Sequence, residues 1–172
     1  MGLTFLLLFL VVIFVYGGDI SNCPANLHQG TTLKAYQGHC YEFRIHRAVD
    51  FHQAEGDCKS RGGHVVAVNN MDEQNFILST LKSFSFHGHG VWIGLTDGQV
   101  EGKWTWTSGF LLDAEEDCTI ILNSDVTGHW DDIPCVKQDP LGLVHQHYPY
   151  VCEYLQETAT ASTDTSPTSP SA

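Results

Sequence analysis

The chain has 172 residues, 42% of them hydrophobic and 16% charged, and 8 Lys and Arg against 20 Asp and Glu give a formal net charge of −12. That length suits one domain that buries about 70% of its unfolded surface. The acidic excess, with no Lys/Arg cluster to interrupt it, argues against nucleic acid and anionic membranes as partners and favours cations or basic surfaces.

From Leu3 to Tyr16 the chain is apolar except for Thr4, and Gly17, Gly18 and Asp19 follow. As a helix this run reaches about 21 Å, short of the roughly 30 Å hydrocarbon core of a bilayer. Residues 1–17 therefore read as a secretory signal peptide, although the segment lacks the usual Lys or Arg before its apolar run. No second apolar run follows, so the expected product is secreted, extracellular and not inserted in a membrane.

Secretion decides how the cysteines are read. Cys23, Cys40, Cys58, Cys118, Cys135 and Cys152 form an even set that can pair completely in an oxidising compartment. None lies in a Cys-x-x-Cys pair, which removes the main signal for a zinc ribbon or a thioredoxin site. The count alone leaves the pairing open.

In Cys40 to His46, Tyr41, Phe43 and Ile45 alternate with Glu42, Arg44 and His46, the pattern of a half-buried strand. Asp50 can cap a helix whose inward stripe is Phe51, Ala54 and Cys58 and which Gly62 and Gly63 end. A strand is expected at His64 to Val68. Asn70 can start a second helix, with Ile77, Leu81 and Phe84 spaced to pack on a core. Strands are then expected at Val91 to Leu95, Lys103 to Thr107, Cys118 to Leu122 and Tyr148 to Tyr154. Two helices ahead of a run of antiparallel strands predict an α+β fold. After Glu157, nine of the fifteen residues from Thr158 to Ala172 are Ser or Thr, with Pro167 and Pro170 among the others. Such a segment cannot form a core, and residues 155–172 are assigned to a disordered tail that is a candidate for O-glycosylation. No Asn-x-Ser/Thr acceptor is present.

Trp92-Ile93-Gly94-Leu95, Glu101-Gly102-Lys103-Trp104-Thr105-Trp106, Trp130-Asp131-Asp132-Ile133-Pro134-Cys135 and Tyr150-Val151-Cys152-Glu153 occur in that order. Together they resemble the C-type lectin-like domain. The stretch from Ala54 through Cys58, Gly62-Gly63 and Val66-Ala67-Val68 to Gln74 and Phe76 resembles that family's first helix, first core strand and second helix. The match spans residues 23–154. It implies a C-type lectin-like fold, with two helices packed on antiparallel sheets and three disulfides, Cys23–Cys40, Cys58–Cys152 and Cys118–Cys135. It also implies that Trp92, Trp104 and Trp106 are core residues rather than an exposed stacking platform.

Sugar-binding members of the family hold their ligand through Ca²⁺, a hard ion that takes six to eight oxygens. In those relatives a Glu-Pro-Asn or Gln-Pro-Asp tripeptide supplies part of the shell. This chain lacks it, since no Pro lies between Gly94 and Cys118. Only eight residues separate Gly109 from Cys118, so the sequence resembles the compact form of the domain in which the long loop is trimmed away. Yet nine of the twenty carboxylates, and Lys103 as the single basic residue, lie between Asp97 and Asp132. By position Asp97, Glu101, Glu116 and Asp117 match an auxiliary calcium set, and Asp131 and Asp132 stand where the lectins place Asn-Asp. Calcium is thus the cofactor to test at these six residues. The plain alternative is a set of acidic turn residues and a solvated acidic run.

Ten histidines include His87-Gly88-His89 and His145-Gln146-His147. On a strand each pair would face one way and could chelate Zn²⁺ or Cu²⁺, though surface-loop histidines are the commoner outcome. Catalytic motifs are missing: there is no Gly-x-Ser-x-Gly elbow, no His-Glu-x-x-His and no phosphate-binding loop. The sequence reads as a non-enzymatic recognition protein that binds a protein or charged surface through its acidic loop face. The alternative is a carbohydrate-binding lectin, calcium-dependent or not. Its partners are then a glycan or an extracellular protein, and its oligomeric state is not legible.

Overall fold

A computed structural model of the chain describes residues 18–97, 100–107, 117–123, 128–135 and 146–157. The expected signal peptide, the segment from Gly109 to Cys118 apart from its last two residues, and the Ser/Thr-rich tail from Thr158 onward lie outside the described residues.

The ordered chain runs β1 (Leu33–Tyr36), β2 (His39–Val49), α1 (Phe51–Ser60), β3 (His64–Val65), α2 (Met71–Ser83), β4 (Gly90–Thr96), β5 (Thr105–Trp106), β6 (Asp117–Leu122), β7 (Trp130–Pro134) and β8 (Tyr148–Leu155). A short 3-10 turn, Ile20–Asn22, precedes them. Both helices begin where capping chemistry places them. The Asp50 side chain accepts from Gln53 N at 2.8 Å and that of Asn70 from Glu73 N at 2.9 Å, each satisfying a backbone donor of the first turn. β1 and β2 were not separated in the sequence pattern. Their turn is Gln37-Gly38, with φ of 47° and 82°, the two left-handed residues that match a tight hairpin to strand twist.

The sheet is mixed, in the order β1-β2-β8-β4-β6-β7, with β3 paired to β8 and β5 to β4. All its pairings are antiparallel except the contact of β4 with β8, where Trp92 lies beside Tyr150. Adjacent residues in the central strands divide between two cores. Trp92, Ile120, Tyr150 and Cys152 join Phe51, Ala54 and Cys58 of α1. Val91, Ile93, Ile121 and Val151 join Ile77 and Leu81 of α2. Because side chains alternate across a strand, this division puts one helix on each face of the sheet.

The two-sided covering corrects the half-buried reading of β2. Glu42 is as buried as Tyr41 and Phe43, since the face on which it lies is also packed. Three further boundaries differ from expectation. Val66 to Val68 are buried but leave the ladder after Val65, the fifth strand shrinks to Thr105 and Trp106, and β7 is a strand that the sequence pattern did not announce. Backbone pairing continues beyond residue 154. Leu155 ends β8, and Gln156 N and Glu157 N donate to Gly38 O and Asn22 O.

All six cysteines are paired as Cys23–Cys40, Cys58–Cys152 and Cys118–Cys135. The second closes a separation of 94 residues and joins α1 to β8. On the chain-entropy model such a closure stabilises by about 4 to 5 kcal/mol and each 17-residue closure by about 3. Gly94 is required by close approach. A Cβ there would lie 2.5 Å from Val65 O, where β3 runs into the segment packed across β4.

Candidate site: the acidic and aromatic edge of β4, β6 and β7

The sheet carries its unmatched charge at one edge. Asp97 follows directly on β4, Asp117 opens β6, and Asp131 and Asp132 lie on the edge strand β7. Thr96 pairs with Cys118, and its Oγ1 donates to Asp117 O at 2.7 Å, which brings the ends of β4 and β6 together. Asp97 is 2% exposed. Its Oδ2 accepts from Gly102 N at 2.9 Å and so ties the turn after β4, while Oδ1 has no hydrogen-bond partner. Burial pushes the Asp117 carboxyl up from the ordinary carboxylate range, and the charges of Asp97 and Asp132 raise it further. Asp117 therefore feels both neighbouring carboxylates.

The remaining expected residues are placed differently. Glu101 is exposed beside Gly102, and Glu116 lies outside the described residues. Asp131 and Asp132 are consecutive on β7 and point to opposite faces of the sheet. Asp131 is opposite Ile120 and Asp132 opposite Thr119. Calcium would require six or more converging oxygens. Among the described residues no three His, Cys, Asp or Glu side chains form a metal-holding group. Asp97 offers one unpartnered oxygen to a cation. The histidine pairs fare similarly. His87 and His89 are exposed in the loop before β4 rather than on a strand, and His145 is outside the described residues.

Beside the acids lies an aromatic cleft of about 350 Å³ lined by Leu95, Trp104, Thr119, Trp130 and Asp132. Its construction follows from register. Trp130 and Asp132 are two apart on β7 and so share a face, and Asp132 is opposite Thr119 of β6. Trp130 is 38% exposed and Trp104 40%. The core assignment holds for Trp92, which is fully buried, donates from Nε1 to Val49 O at 2.8 Å and meets Phe51 edge to face. It fails for Trp104. That residue precedes the two-residue β5, outside the ladder, so the spacing of two from Trp106 does not turn it inward. Trp106 is partly buried and meets the Trp130 ring edge-on, with centroids 5.8 Å apart. Trp130 Nε1 donates to Gln74 Oε1 of α2 at 3.0 Å, which fixes the ring. Pro134 ends the same edge strand, a place where the missing N–H does not interrupt a central ladder.

Elsewhere, buried and half-buried carboxylates are matched. Glu42 accepts from Arg44 at 3.1 Å, from Arg61, and from Tyr154 Oη at 3.3 Å. Asp57 accepts from Arg61 at 2.8 Å and from Tyr150 Oη. Glu73 accepts from Tyr41 Oη and Asn69 N, both at 2.8 Å. Glu153 accepts from Ala67 N at 3.0 Å and contacts His39. Burial, reinforced by these carboxylates, pushes the Tyr41 and Tyr154 phenols above their ordinary value and keeps them neutral donors.

The lectin C-type domain model matches residues 47–154, and the chain belongs to that family. It is 29% identical over 140 residues to the hepatic lectin of Gallus gallus, a match covering 73% of this chain and 59% of that protein. It is likewise 29% identical over 133 residues to the versican core protein of Rattus norvegicus, covering 69% of this chain and 4% of that one. The chain thus spans only part of the length of these relatives. Among solved structures, human lithostathine is similar at a TM-score of 0.61 and 23% identity, covering 77% of this chain and 94% of that one. Botrocetin is similar at 0.53 and 28%, covering 74% and 99%. The family is generally non-enzymatic. No helix among the described residues is long and apolar enough to cross a membrane.

Proposed function

We propose that this chain is a secreted, non-enzymatic recognition protein that binds an extracellular protein or charged surface through the acidic edge of β4, β6 and β7, without a calcium-bridged sugar site. The observation that carries this reading is the half-buried Asp117 carboxyl, raised by burial and then by the nearby charges of Asp97 and Asp132, while no described Lys or Arg forms an ion pair with any of the three. Charges held together without counter-ions cost stability, and a cationic ligand relieves that cost. The absence of a Glu-Pro-Asn or Gln-Pro-Asp tripeptide supports the second half of the reading. The disulfides are those of an oxidising compartment, and residues 1–17 supply the signal peptide it requires.

The test is a protein and glycan binding screen with and without Ca²⁺ at low and high salt. Binding that falls with salt and ignores chelator supports the proposal. Glycan binding that vanishes with chelator, together with a rise in the unfolding midpoint at millimolar Ca²⁺, replaces it with a calcium-dependent lectin, because a ligand selective for the native state stabilises it. A calcium-independent lectin is the second reading, favoured by the half-exposed rings of Trp104 and Trp130.

A further inference from the structure

We propose that the cleft between Trp104 and Trp130 seats the guanidinium group of an arginine side chain presented by a partner protein. The inference rests on the acidic-edge reading above and names the group that this edge receives.

Four features of the cleft converge on that chemistry. Its two indoles are each more than a third exposed, although Trp is a residue that folding usually covers. The Trp130 ring is held by its bond to Gln74 and by the edge of Trp106, so little ordering remains to be done on binding. Asp132 lines the cleft, and its charge is felt by Asp117, the residue that opens β6. Thr119 on its floor is only 3% exposed, and its Oγ1 has no hydrogen-bond partner.

An aromatic face attracts a cation, a carboxylate pairs with it, and a hydroxyl accepts an N–H. Guanidinium satisfies all three together, because it is planar, stacks on indole and carries a fork of donors that matches a carboxylate. An ammonium group would meet the carboxylate but could not stack. A neutral sugar would stack but would leave the surrounding charge uncompensated. The chain's own arginines are Arg44, Arg47 and Arg61, and all three pair with Asp57 or Glu42 at the other side of the sheet. The occupant therefore comes from another molecule.

The probe is a nonapeptide with three arginines separated by Gly and Ser, compared with the same peptide carrying citrulline, which keeps the shape and removes the charge. Both are titrated into the full chain and followed by Trp fluorescence and calorimetry. The arginine peptide is expected to bind about tenfold more tightly than its citrulline form, Trp104→Ala and Asp132→Asn each to weaken it about tenfold, and Trp104→Phe to restore most of the loss. Circular dichroism establishes that each variant is folded. Equal affinity for the two peptides overturns the proposal. So does an unchanged affinity in Trp104→Ala while Glu101→Gln and Asp131→Asn weaken binding, a result that leaves the acidic edge standing and removes only the cleft. Binding of a methyl glycoside in chelator that Trp104→Ala abolishes, with no binding of the arginine peptide by any variant, overturns both readings in favour of the lectin.

Discussion

Two groups of acidic residues in this domain are treated in opposite ways. At the α1 side of β2, Glu42 and Asp57 are surrounded by Arg44, Arg47, Arg61 and the phenols of Tyr150 and Tyr154. This network lies against the long-range disulfide, with Arg61 Nη2 at 3.7 Å from Cys152 Sγ. At the far edge, Asp117 feels the charges of Asp97 and Asp132, and Asp132 shares a cleft with a pair of indoles each more than a third exposed. The first set is paired with cations and phenols of the fold itself. In the second, Asp97 serves the fold through its bond to Gly102 N, while Asp132 and the two indoles leave charge and apolar surface exposed. Acidity by itself is therefore no guide to function in this chain, whereas compensation of that acidity is.

The comparison can be broken at its structural end first. Replacing Cys58 and Cys152 together by Ser should remove about 4 to 5 kcal/mol, the largest single loss, and lower the chemical-denaturation midpoint accordingly. Next, Arg61→Met leaves the buried Glu42 short of its closest cation. A loss of about 3 kcal/mol is expected in the same measurement, with the Glu42→Gln/Arg61→Met double variant recovering much of it. If Arg61→Met were neutral, the matched region would owe nothing to its matching.

At the acidic edge, substitution of an exposed residue is expected to act on binding and leave folding nearly intact. Asp132→Lys is expected to abolish salt-sensitive binding of a basic peptide while shifting stability by no more than about 0.5 kcal/mol, because Asp132 is exposed. The smallest effect concerns pH. The Asp117 carboxyl is raised in the folded state, so the folded protein holds that proton more firmly than the unfolded chain. The stabilisation this gives is fully present below the unfolded value of about 4 and is lost as pH rises through the folded one. Asp117→Asn should then gain in thermal midpoint relative to the parent between about pH 4 and 7, and the gap should close in more acidic solution. A constant gap across that range would mean that the carboxylates at this edge do not repel one another.

Much of the scaffold was legible in advance because it depends on local chemistry. The caps at Asp50 and Asn70, the stripe of Phe51, Ala54 and Cys58, and the core role of Trp92 follow from side chains acting within one turn or one ladder. The candidate site was only half legible. Asp97, Asp117 and Asp132 could be named from motif position, but not that Asp131 turns away from them. The family resemblance implied a core place for Trp104, but a motif position does not fix burial where the ladder ends, and β5 stops one residue short of it. Glu42 and Glu153 carried no warning of burial in the alternating pattern, since that pattern cannot tell whether the second face of a sheet is covered.

By itself, then, the sequence determined the elements, the family likeness and the excess of acid, all of which are set by near neighbours along the chain. The tertiary structure alone decided which carboxylates are neutralised and which indoles reach solvent. Those outcomes depend on residues brought together from as far apart as Glu42 and Cys152, or Gln74 and Trp130, by the order in which the strands are assembled.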